Sequence, residues 1–147
     1  MDFDFELDTG PLDNLLKQLP EETQKKVVRR SVAAGARVIR DGARELAPYD
    51  PSRSEGTHLR DAVMVKRLQG TNDIMRIGTL TGSSPKGAPH AHLVEFGTVK
   101  MSAKPFLRPA ALFTQQATAV KMFRILANGI FREAKKLAGK AKKRGKK

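Results

Sequence analysis

The sequence predicts an α+β domain in which a small antiparallel sheet of about three to four strands packs with two long helices. Three observations carry this. Residues 21–47 form a proline-free run with apolar residues at helical spacing, residues 109–138 form a second run with apolar residues at that spacing and open on Pro109, and the stretches between them are short, β-branched and separated by turn-forming residues. Composition agrees: the chain has 147 residues, enough for one domain, and its 39% hydrophobic and 5% aromatic content suits aliphatic helix faces better than an aromatic-rich β-sandwich. The expected division is an acidic N-terminal segment with a short helix over 1–19, one α+β domain over 20–138, and a polybasic tail over 139–147, disordered or extended.

Pro20 stands where the first residue of helix one is expected, Glu21 and Glu22 follow in the turn where the helix dipole favours anions, and Pro48 ends the run. Val28, Val32, Gly35, Ile39, Ala43 and Leu46 form its apolar stripe. Lys26, Arg29, Arg30, Arg37, Arg40 and Arg44 fall on one arc of about 100° away from that stripe. Such an arc is either a solvated face or a surface for phosphate or a protein partner.

Residues 62–68 and 74–79 read as two strands of a hairpin, joined by Gln69-Gly70-Thr71-Asn72-Asp73. His90 to Phe96 is the third strand expected. Gly, Ser and Pro make 49–57 and 81–89 loops.

The second helix carries a wide apolar stripe of Leu112, Phe113, Ala117, Val120, Phe123, Ala127, Ile130, Phe131, Ala134 and Leu137. Leu107 and Leu112 are spaced as a hydrophobic staple around Pro109 as first helical residue, and Gly139 is the expected stop. Met122 and Ile125 lie outside the stripe and are candidates for a subunit interface. Both helices would be about 40 Å long, more than a compact domain of this size is wide.

Enzyme chemistry finds no constellation. Gly82 to Ala88 looks phosphate-friendly, but a P-loop needs Gly-Lys-Ser/Thr and here Gly87 is followed by Ala88. His90, His92 and Glu95 would make a two-His, one-carboxylate metal set, yet on a strand Glu95 faces away from His92, so no metal or cofactor is expected. With no cysteine there is no thiolate site, no cysteine nucleophile and no disulfide framework.

The net charge of +13 is unevenly spread: residues 1–13 carry −5, residues 14–131 carry +10 and residues 132–147 carry +8. An acidic head of this kind is the reverse of a signal peptide's basic n-region, and no stretch reaches the roughly 20 apolar residues that span a bilayer, so a soluble intracellular product without membrane contact is expected. An acidic head beside a basic body also suits end-to-end contacts between subunits. Lys140, Lys142, Lys143, Arg144, Lys146 and Lys147 could neutralise phosphates without reading sequence. A small basic, sequence-independent nucleic-acid-binding protein is therefore the alternative function.

The most specific stretch runs over 88–110, and within it Val94-Glu95-Phe96-Gly97-Thr98 and Pro105-Phe106-Leu107-Arg108-Pro109-Ala110 are distinctive together. It resembles the signature block of the phage tail-completion family, the head-tail joining proteins of long-tailed phages, and the order of elements around it fits over about residues 15–137. The chain departs from that pattern at Gly56-Thr57-His58, where Thr-Gly is common, and at His90, where an aromatic is common. The resemblance implies a non-enzymatic virion protein of the neck that completes or terminates the tail. Its partners would be itself, as a ring that is a hexamer, the tail tube protein and the head-tail connector or stopper proteins, with non-specific contact to genomic DNA in the lumen. It would be found in the virion and, during assembly, in the host cytoplasm. Glu95, Phe96, Met101, Phe106, Leu107 and Arg108 would then join Met122 and Ile125 at the subunit or partner interface.

Overall fold

The computed structural model describes residues 10–49, 51–52, 58–68, 75–79 and 87–144, with the backbone alone for 141–144. In chain order these form α1 (Gly10–Lys17), α2 (Glu21–Leu46), α3 (Leu59–Ala62), β1 (Val63–Arg67), β2 (Met75–Thr79), α4 (Ala91–Phe96), α5 (Leu107–Phe113) and α6 (Gln115–Arg144). The α+β class holds, with helices dominating.

Helix α2 begins one residue later than the proline rule placed it. Pro20 is the N-cap, and its carbonyl accepts the N–H groups of Thr23 and Gln24 at 2.8 and 3.0 Å. At the other end Ala47 turns extended (φ −63°, ψ 129°), as the residue before a proline must.

The described sheet has two strands, fewer than expected. β1 and β2 pair antiparallel from Val63 opposite Thr79 to Arg67 opposite Met75. The Arg44 guanidinium donates twice to the Val63 carbonyl, at 3.1 and 2.9 Å, tying the end of α2 to the start of β1. The third expected strand is instead helix α4. Ala91, Val94 and Glu95 turn inward at helical spacing, and a short apolar run does not distinguish a strand from a buried turn of helix.

α2 and α6 run side by side and in opposite directions, closer than two ordinary helices, because small residues face each other. A Cβ added at Gly129 would sit 2.7 Å from Val27 Cγ1, and one added at Gly42 would sit 2.7 Å from Thr114 Cγ2. The Ser31 hydroxyl donates to the Met122 carbonyl at 2.7 Å across the same seam. This close approach shifts the buried line of α2 to Val27, Ser31, Ala34, Gly35, Ala36 and Ala43. Val28, Val32 and Ile39 of the expected stripe are only half-buried, and Leu46 is exposed.

The second long helix differs in three ways. It is broken at Thr114, whose hydroxyl and N–H both return to the Ala110 carbonyl, at 2.7 and 3.0 Å. Pro109 is the third residue of α5 rather than the first, a position where a missing N–H still costs nothing. Finally, α6 passes through Gly139 to Arg144, so 139–144 of the expected disordered tail is helical. Ala, Lys and Arg are strong helix formers and outweigh one solvent-facing glycine. Lys146 and Lys147 lie outside the described residues.

Two apolar clusters hold the fold. One gathers Ala43 of α2 and Ala47 just after it with Leu59, Val63, Ala91, Phe106 and Ala110; the other joins α1 through Leu12, Leu15 and Leu16 to Leu19, Val27 and Ile130. α1 is thus packed onto the far end of the α2–α6 pair.

Candidate assembly interface

Glu95 organises the segment that the sequence singled out. It lies on the last turn of α4 with its carboxylate directed at the start of α5, where Phe106 and Leu107 N–H donate to Oε2 at 2.8 and 3.0 Å and Arg108 N–H donates to Oε1 at 3.1 Å. The three N–H groups are among those a helix start leaves unpaired, so a side chain eleven residues upstream caps α5. Burial alone would raise the carboxyl's pKa. The three backbone N–H groups and the nearby Arg108 outweigh that and hold it below the ordinary glutamate range.

Between Glu95 and α5 the chain makes a tight excursion. Gly97 ends α4 with φ 77°, and a Cβ there would lie 2.8 Å from the Ala103 nitrogen, so this position takes glycine on both counts. Thr98 N–H donates to Met101 C=O at 2.8 Å and Met101 N–H returns to Thr98 C=O at 3.2 Å, while Lys104 N–H donates to Val94 C=O at 2.8 Å. The tip so fixed displays apolar side chains to solvent: Phe96 is 82% exposed, Val99 fully so, and Met101 is also exposed.

A second apolar surface runs along α5 and α6. Leu112 is 66% exposed, Phe113 79%, Val120 53% and Phe131 56%. At 100° per residue Val120 and Phe131 lie within about 20° of each other and about 180° from Met122 and Gly129, which face α2. Helix α6 therefore has apolar residues on opposite sides, and among the described residues only one side is covered.

The interface residues expected from sequence divide accordingly. Phe96 and Met101 are exposed, as is Arg108. Phe106 is completely buried in the main cluster, Leu107 packs half-buried against it, and Glu95 is taken up as the α5 cap. Met122 is turned to α2, where its side chain fills the space beside Gly35, and Ile125 lines a groove with Val27, Arg30 and Arg132. Val99, Leu112, Phe113, Val120 and Phe131 were missed. The signal was the width of the α6 stripe, too broad for one helix partner, with Thr118 and Gly129 marking the side on which α2 needs small groups.

Of the basic residues, Arg44 is committed to β1 and Arg40 pairs with the adjacent Asp41 at 2.7 Å, so the arc on α2 is partly used inside the fold. From Lys135 to Lys140 every residue of α6 is exposed, and the described helix continues through Lys142 and Lys143 to Arg144. Among the described residues no group of His, Asp and Glu is placed to hold a metal ion, and no helix is long and apolar enough to cross a membrane.

No curated protein and no solved structure matches the chain. A family model described as "Bacteriophage HK97-gp10, putative tail-component" matches residues 12–97, from α1 through α4 to the Gly97 turn, while the Glu95-capped α5 and α6 lie beyond the match. A structural tail component, with other virion proteins as its partners, is what that family implies. With well over half of its length inside that match, the chain belongs to the HK97-gp10-like family of phage tail components.

Proposed function

We propose that the protein is a ring-forming subunit, a hexamer, at the head-proximal end of the tail, where it completes the tail and joins the tail tube to the head connector or stopper. One observation carries this: among the described residues α6 has an uncovered apolar side, Val120 and Phe131, opposite the side that packs on α2. A monomer gains nothing from leaving such side chains in water, whereas a subunit buries them against its neighbour. In a cyclic ring each contact joins two different patches, and the chain offers two, the Phe96–Val99 tip and the α5–α6 side. The protein would assemble in the host cytoplasm and end in the virion, without enzymatic activity.

Light scattering after size exclusion, with and without tail tube and connector proteins, tests the reading. A concentration-dependent or partner-induced ring is expected; a strict monomer under all these conditions would overturn it.

The basic end of α6 supports one further part of the reading, contact between Lys140, Lys142, Lys143 and Arg144 and the phosphates of DNA passing through the ring. The same cations are what a small sequence-independent nucleic-acid-binding protein would use. The exposed apolar surfaces favour the ring, since phosphate binding has no use for Phe113, Val120 and Phe131.

A further inference from the structure

Among the described residues strand β2 has an open edge. Among these it pairs only with β1, and in an antiparallel pair alternate residues of an edge strand direct N–H and C=O away from their partner. The two faces of the hairpin differ in chemistry. Val63, Val65, Ile77 and Thr79 share the face turned to the main cluster, whereas Lys66 and Arg76 stand opposite each other on the outer face. Beside the open edge is a groove of about 550 Å³, walled by Gly78 and Thr79 of β2, Phe96 of α4, and Leu107 and Arg108 of α5, with no residue of β1.

The acidic head has the matching alternation. Asp2-Phe3-Asp4-Phe5-Glu6-Leu7-Asp8 alternates acidic and apolar at every position, the period of a strand with one apolar and one charged face. We propose that residues 2–8 of a neighbouring copy add to β2 as a third strand. Phe3, Phe5 and Leu7 enter the groove, and Asp4 and Glu6 lie on the outer face beside Arg76 and Lys66. This rests on the self-assembly reading above and names the contact that links one subunit to the next. A two-stranded hairpin is marginal by itself, and a third strand completes its apolar face.

Reach selects a neighbour over the chain's own head. α1 is packed beside Val27 and Ile130, while the sheet packs at Ala43 and Ala47. Val27 and Ala43 are separated by about 24 Å along α2. Residues 2–9 fully extended cover about 27 Å, so a head spanning that distance has almost nothing left to pair with β2. A neighbour's head has no such restriction. Each copy then gives one head and receives one, the head-to-tail arrangement that closes a ring.

The chain has no cysteine, which gives cross-linking a clean background. Full-length Phe5→Cys and full-length Thr79→Cys protein are mixed and oxidised, with Arg37→Cys replacing Thr79→Cys as an exposed, likewise basic control on α2, outside both apolar surfaces. Disulfide-linked dimers at least tenfold above the control are expected. A synthetic peptide of residues 1–9 should compete with them, and a scrambled peptide of the same composition should not. Combining Lys66→Glu with Arg76→Glu should weaken peptide binding about tenfold, and Asp4→Lys with Glu6→Lys in the peptide should restore it. Equal cross-linking at Arg37, or equal competition by the scrambled peptide, would reduce the contact to general charge attraction and overturn the proposal. A cross-link formed only within one chain carrying both cysteines would overturn the assignment to a neighbour. If chains lacking residues 2–8 form the same oligomer and no cross-link appears, the strand is refuted while self-assembly stands; absence of any oligomer, even with tail partners, refutes self-assembly itself.

Discussion

The Phe106 N–H donates to the Glu95 carboxylate at 2.8 Å, so the end of α4 and the start of α5 are joined by one charged side chain. The same carboxylate accepts from Leu107 and Arg108, and the Phe106 ring it positions is completely buried. Replacing Glu95 with Ala leaves three N–H groups at a largely buried helix start without their acceptor. A loss of about 3 kcal/mol is expected, read as a fall in Tm of about 6–12 °C. Glu95→Gln keeps one oxygen but turns an NH2 group toward the Arg108 N–H, and about half that loss is expected. A Tm within 1 °C of the parent for Glu95→Ala would show that the cap contributes nothing.

The same carboxylate sets a pH dependence. Its pKa is lower in the folded state than in the unfolded chain, because the three N–H groups and Arg108 favour the anion more than burial opposes it. The stability it contributes is therefore complete above the unfolded glutamate range and is lost as pH falls through the lower folded value. Urea unfolding of parent and Glu95→Gln protein between about pH 6 and pH 3 measures this. The parent should lose more stability over that interval than the variant; parallel curves would mean the group titrates alike in both states.

Glycine positions on α6 should respond in opposite directions. Replacing a helical glycine with Ala ordinarily gains up to about 1 kcal/mol. At Gly139 a Cβ meets nothing within 4 Å, so Gly139→Ala should stabilise. At Gly129 it meets the Val27 Cγ1 at 2.7 Å, on a β-branched side chain with little rotamer freedom, and the α2–α6 seam must open. Gly129→Ala should then destabilise by about 1–3 kcal/mol. Thermal unfolding of both variants checks the pair, and a stabilising Gly129→Ala would contradict the close helix approach.

What the sequence made legible follows from how local each signal is. Pro20, Glu21, Glu22 and Pro48 act within a turn of themselves, and α2 lies within one residue of where they place it. β1 and β2 likewise fall inside the stretches 62–68 and 74–79 that read as strands, while the turn expected over 69–73 lies outside the described residues. Failures came where a distant element decides. His90 to Phe96 satisfies strand and helix patterns alike, and the choice rests with Glu95 reaching α5. Met122 falls outside the most apolar arc of its helix, yet it is turned to α2 because Gly35 leaves room there. Phe106 and Phe96 belong to one motif, but only the fold separates the core residue from the exposed one.

The uncovered side of α5 and α6 gives an interface prediction that separates association from folding. Phe113 and Val120 are exposed, so charged residues there should change stability by no more than about 0.5 kcal/mol. The proposed ring would bury the same residues, and Phe113→Asp or Val120→Asp should then weaken association at least tenfold. The result to look for by light scattering is an unchanged Tm with a shift toward monomer. Intact assembly of the double variant would remove this surface from the subunit contact.

The basic end of α6 makes the last prediction one of salt dependence. From Lys135 onward the helix is solvent-exposed up to Lys140, so a chain ending at Gly139 loses no packed side chain among the described residues and should unfold at the parent temperature. It does lose Lys140, Lys142, Lys143, Arg144, Lys146 and Lys147. If these six cations each displace a counterion from duplex DNA, log affinity should fall with log salt with a slope of about −5 in the parent, and removing them should flatten it nearly to zero. Because the contact reads phosphate and not base edges, the slope should be the same for duplexes of unrelated sequence. A truncated chain that keeps the parent slope would transfer the DNA contact to the body, where Lys26, Arg30 and Arg37 are the exposed cations of α2.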